Sequence, residues 1–162
     1  MAAPAGLLGW LEATSLASAM RGSLWMYPIV EIVHITGFVI LVGSVAMFDL
    51  RVLGFARTLP VQALGRHLLP WAVSALALIV PAGLMMFSAH PHDFASNKVF
   101  QLKLALIGAA GLNAALFHVG AYRHAARWNQ GVQAPAAARV HAVASLAIWI
   151  AVICCGRLLA YT

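Results

Sequence analysis

The stretch Tyr27-Pro-Ile-Val-Glu31-Ile-Val-His34-Ile-Thr-Gly37-Phe-Val-Ile-Leu-Val-Gly43-Ser-Val-Ala-Met-Phe48 decides the class of this chain. A helix needs about 20 apolar residues to cross the hydrocarbon of a bilayer, and this run supplies them. It is apolar almost all round, which marks a helix with no face turned to water. Yet it carries a carboxylate and an imidazole, Glu31 and His34, three residues apart. Ionisable groups at membrane depth are costly, so they face a partner, a cavity or a cofactor.

Three further runs have the same character, so spans are expected at about 27–49, 68–89, 99–120 and 140–161. Of the 162 residues, 63% are hydrophobic and 9% charged, far from an ordinary soluble domain. The chain has room for these spans and little else, so it reads as a single transmembrane domain, 1–162. Short loops make an all-α, integral-membrane, four-helix up-down bundle the simplest packing. Leu7, Leu8, Trp10, Leu11 and Leu16 predict a short N-terminal interfacial helix over about 5–20. Residues 1–20 lack the positive n-region of a signal peptide, so the segment is expected to stay on the chain. Trp25 and Tyr27 form an aromatic belt, and Pro28 suits a first helical turn. A second short interfacial helix is expected in the first loop, ending near Gly65. Pro81 and Gly83 are expected to bend the outer half of span two.

The formal charge of +6 is distributed by loop. Arg51, Arg57 and Arg66 flank the first loop, and Arg123, Arg127 and Arg139 the third. Lys98 is offset by Asp93, and Arg21 by Glu12. The positive-inside rule then puts both Arg-rich loops in the cytoplasm and both termini outside, periplasmic for a bacterial inner membrane. No aromatic-basic interleaving points to nucleic acid. Cys154 and Cys155 are neighbours and do not suit an unstrained disulfide.

This topology places the polar groups in two layers. His34 falls roughly 10 Å below the outer surface, with Lys103 at a similar level on span three. His67, His118 and His141 come from three helices near the inner end. Lys103 and His118 differ by only ~60° around their helix and by ~22 Å along it, so one face serves both layers. Two cofactors stacked across a membrane would produce this pattern. Haem b, one or two copies, is the first choice, because neutral imidazole ligates iron while apolar helices supply the slot. His118 with His67 or His141 would be the inner ligand pair. His34 would be the outer ligand, with Lys103 or Met85 as second ligand or propionate partner.

Plainer readings stay open beside this one. Glu31 and Lys103 can form a buried ion pair with His34 hydrogen-bonded nearby. His67 and His141 can belong to a polar ring at the interface, while His90, His92 and His124 lie in loops. Met85 and Met86 can be packing residues. Glu31-x-x-His34 matches di-iron ligand spacing, but the only other carboxylates, Glu12, Asp49 and Asp93, are dispersed. Glu31 is therefore read as a charge partner or proton acceptor. Copper is the rival metal, since Met85, Met86, His90, His92, Cys154 and Cys155 gather towards the outer end.

His34-Ile-Thr-Gly37 through Asp49-Leu-Arg51-Val-Leu-Gly54, with Phe100-Gln-Leu-Lys103 through Asn113-Ala-Ala-Leu-Phe-His118, resembles an uncharacterised family of small four-helix bacterial inner-membrane proteins. The likeness covers nearly the whole chain. More distantly, His34 early in span one and Lys103 early in span three resemble HemJ-type protoporphyrinogen oxidases, four-helix haem proteins. That likeness implies functional roles for these two residues; the inner histidine layer has no counterpart there. CopD-type copper proteins are similar through the membrane pattern alone.

The leading expectation is a b-type cytochrome-like subunit that transfers electrons, with a quinone or a membrane-bound dehydrogenase as redox partner. Such a chain would serve an oxidoreductase complex, as part of a homo- or hetero-oligomer, rather than act as a stand-alone enzyme. A HemJ-like porphyrinogen oxidase, an outer-side copper-binding or transport protein and a structural membrane anchor are the alternatives.

Overall fold

A computed structural model describes residues 6–161. Residue 5, the expected start of the interfacial helix, and the two ends of the 1–162 domain lie outside the described residues. The described chain is helical, without strands. Two short helices, α1 (Gly6–Glu12) and α2 (Ser15–Gly22), precede the first long one, α3 (Met26–Leu53). Then follow α4 (Val61–Ala89), a short α5 (Pro91–Ser96), α6 (Lys98–Val119), a 3-10 segment (Ala121–Trp128) and α7 (Ala136–Leu158). α3, α4, α6 and α7 are each long and apolar enough to cross a membrane. The ends joined by the Arg-rich connections are called inner here, and the opposite ends outer.

Local chemistry explains most boundaries. The expected single interfacial helix is two, because Thr14 breaks the run: its hydroxyl accepts from Ala17 N–H at 3.2 Å and caps α2. Asn97 caps α6 in the same way, with Oδ1 accepting from Val99 and Phe100 N–H. Gly54, at φ +111°, closes α3 in a left-handed cap, and Phe55 N–H reaches back to Leu50 C=O at 3.1 Å. No separate helix fills the first loop. α4 starts at Val61, directly after Pro60, and runs unbroken through Gly65. Gly65 does not end a helix. It makes room for the Tyr122 ring, whose hydroxyl occupies the place a Cβ would take.

The long helices pack in the order α4, α3, α7, α6. α4 and α6, consecutive spans in the sequence, do not pack against one another. Aromatic side chains link this part of the bundle near its two ends. Outside, Phe87 of α4 stacks on Phe100 of α6 at 5.7 Å, with Phe94 of α5 beside both. Inside, Tyr122 reaches from the 3-10 segment to Gly65, and burial pushes its phenol up from the ordinary range, with Arg66 partly opposing.

Two polar devices finish the ends. At the outer end, Arg21 donates to Ala89 C=O at 2.8 Å and to Glu12 C=O at 2.9 Å, so α2 caps the last carbonyls of α4. At the inner end Arg51 is 2% exposed, not a solvated topogenic charge. Its guanidinium donates to Leu59 C=O at 2.6 Å, Arg57 C=O at 3.2 Å and Asn129 C=O at 3.0 Å. Asn129 also receives Val61 N–H at its carbonyl and Gln62 N–H at its side chain. The first and third connections are therefore one hydrogen-bonded assembly.

The tightest helix seam is α3 on α4. A Cβ on Gly37 would lie 2.9 Å from both Ile79 Cγ1 and Leu78 Cβ and 3.2 Å from Ala75 C=O. Gly37→Ala is expected to cost about 1–3 kcal/mol in detergent unfolding titrations, because backbone and a β-carbon cannot move aside. Gly43→Ala, where a Cβ would meet nothing within 4 Å, should stay within about 0.5 kcal/mol of the native protein.

Candidate functional site

The outer layer is built on the α3–α4 seam. One turn before Gly37, the His34 ring turns towards α4, and its Nδ1 lies 2.9 Å from Ile79 C=O. A carbonyl oxygen can only accept, so Nδ1 carries the hydrogen and Nε2 keeps a free lone pair. Pro81 removes an N–H from the helical ladder in this same turn of α4. Gly83 leaves space for the ring: a Cβ there would come within 3.2 Å of His34 Cε1. His34 is half-buried, while Glu31, one turn outward, is exposed on the helix surface.

Lys103 reaches the same layer from α6, half-buried against α7. A Cβ on Gly156 would lie 3.7 Å from its Nζ, and the buried Cys155 thiol is the neighbouring group. Glu31 and Lys103 both lie close enough to His34 to act on it electrostatically. Neither forms an ion pair among the described residues. His34 and Lys103 therefore share a layer but lie against different helices, α4 and α7. Met85 packs, half-buried, beside the outer apolar cluster of Met20, Val30, Ala82 and Ala89.

The inner histidines are arranged differently. His141 of α7 is paired with Asn113 of α6: ring Nδ1 lies 2.8 Å from Asn113 Oδ1, and Asn113 Nδ2 donates to His141 C=O at 3.0 Å. The second bond fixes the amide orientation, so His141 Nδ1 is the donor and Nε2 again stays bare. His118 is exposed and donates from Nδ1 to Ala114 C=O of its own helix at 2.8 Å. Phe117 lies edge-on to both rings, at 5.5 Å from His118 and 6.1 Å from His141. His67 is exposed on α4. No cluster of three or more His, Cys, Asp or Glu side chains fit to hold a metal ion forms among the described residues. Phe48, Phe117 and Tyr122 fill the space at this level with mutual ring contacts.

The loop histidines lie at the outer end. His90 lies 3.8 Å from Asp93, and His92 lies 3.9 Å from Glu12. Sequence reasoning does not find the pairing of Asn113 with His141. The signal for that partner is present in the chain: an amide inside hydrocarbon requires a hydrogen-bonding group.

The profile of DUF6644, a family of unknown function, matches residues 8–162, so the chain belongs to that family. The match carries no link to HemJ-type or CopD-type proteins. No curated protein and no solved structure matches the chain.

Nitrogen-15 NMR of selectively labelled histidine should show the Nδ1–H, bare-Nε2 tautomer in the neutral rings of His34, His118 and His141. Asn113→Ala should release that preference at His141 and leave it unchanged at His34.

Proposed function

We propose that the protein is a b-type cytochrome-like membrane subunit holding a haem at its outer layer, with His34 as axial ligand. The observation that carries this reading is the His34 hydrogen bond. Nδ1–H given to a backbone carbonyl orients the ring and leaves Nε2 to a metal, the usual arrangement of a ligating histidine. The surrounding side chains are apolar, which suits a macrocycle. Lys103, at the same level, supplies a cation for a propionate or a second ligand. Glu31 serves as the charge partner of this layer.

A haem would supply one-electron chemistry; the chain's own part is to orient the imidazole and exclude water. In this reading the protein works as an electron-transfer subunit beside a quinone or a membrane-bound dehydrogenase. The positive-inside rule supports an inner end in the cytoplasm of a bacterial cell and both termini outside. The proposal is made for the outer layer, where the His34 hydrogen bond supports it.

The test is a reduced-minus-oxidised absorption spectrum of protein made with ample haem, together with metal analysis. A b-type spectrum is expected, and His34→Ala should lower haem per chain by more than about tenfold. His118→Ala and His141→Ala should leave the spectrum in place. No haem in the native protein, or full haem in His34→Ala, overturns the reading.

A further inference from the structure

The inner end carries charge that neither the fold nor the outer layer uses. Arg66, Arg123 and Arg127 are exposed there, whereas Arg51 is taken up by carbonyls. The chain has four acidic side chains. Glu12 and Asp93 belong to α1 and α5 at the outer end, Glu31 belongs to the outer layer, and Asp49 is 7% exposed. Both ion pairs among the described residues, His90 with Asp93 and His92 with Glu12, are at the outer end. The inner surface therefore presents guanidinium groups with no exposed acidic side chain among the described residues.

An open groove of about 420 Å³ lies in this surface, between the 3-10 segment and the start of α7. Residues three apart in a 3-10 helix stand one above another, so Ala121, His124 and Arg127 form one wall. Trp128, Val132 and Ala137 line the rest, and the lining is mostly apolar. Trp128 is 3% exposed, and its indole N–H has no hydrogen-bond partner among the described residues. The walls are held by the joined connections: Gly131 N–H donates to Arg57 C=O at 2.9 Å, and the Gln130 amide to Thr58 C=O at 2.7 Å. The groove is preformed, with a cation at an apolar slot.

We propose that this groove binds the headgroup of an anionic phospholipid from the leaflet at the inner end, with Arg127 as the phosphate-binding cation. Basic pockets at the inner ends of membrane helices suit such headgroups, because the guanidinium meets the phosphate while the apolar lining takes the glycerol region. Position favours a lipid over a soluble anion. The groove follows directly on the inner end of α6, and the residues flanking it in the chain, Val119 and Val140, are exposed apolar side chains on two spans. Acyl chains would continue along such a surface into the bilayer. This proposal is independent of what the outer layer holds.

Native mass spectrometry of the full chain, released from detergent after titration with phosphatidylglycerol or phosphatidylcholine, tests it. Phosphatidylglycerol should bind ahead of phosphatidylcholine. R127Q should weaken phosphatidylglycerol binding about fivefold, the worth of one arginine at a charged surface. R66Q removes an exposed arginine that does not line the groove and should leave binding in place. A137W fills the groove without changing charge and should weaken binding too, so the test does not depend on one variant. Equal binding of the two lipids overturns the proposal, as does full binding in A137W. An equal loss in R66Q and R127Q overturns it in favour of diffuse surface charge. Displacement of phosphatidylglycerol by excess inorganic phosphate overturns it in favour of a soluble anion.

Discussion

Gly37 lets α3 and α4 approach until a β-carbon would strike both side chain and backbone of the facing helix. Lipid tails are as apolar as leucine, so helices in a membrane gain from such close packing rather than from escaping water. The seam also sets the outer site. With Gly37 pressed against Leu78 and Ile79, His34 one turn earlier meets the Ile79 carbonyl and the gap at Gly83. The orientation of the imidazole is thus a consequence of helix packing, reinforced by a single hydrogen bond.

The ends of the bundle obey the complementary rule, that carbonyls leaving a helix need donors. Arg21 meets this need for α4 outside, and Arg51 meets it for two connections inside. Both use guanidinium forks, which can serve several acceptors from one side chain. Arg51 has carbonyl oxygens rather than a carboxylate around it. Its charge is spread over several dipoles, and the connections are held in one arrangement.

The spans are legible in the sequence because a run of apolar residues of membrane length has few other readings. Their ends are less so. The segment ending near Gly65 reads as a separate interfacial piece, but it continues into the span as α4, with Tyr122 fitted against Gly65. The outer layer is legible as a level, since depth follows from counting residues. Which helix each side chain faces is not: His34 lies against α4 and Lys103 against α7, and periodicity along one helix cannot rank its neighbours. The same limit applies inside, where Asn113 of α6 supplies the partner for His141 of α7. Arg51 reads as a plain loop charge, and charge says nothing about a carbonyl cage made by distant loops.

α6 packs along its length on α7 alone and meets α3 and α4 through aromatic side chains near its ends. Parting it from the rest breaks one long interface, while removing α3 breaks two. Cooperative units of a fold open in order of how much they must give up. The bundle therefore has a loose edge, and lipid chains can occupy the side that α6 leaves open to α4.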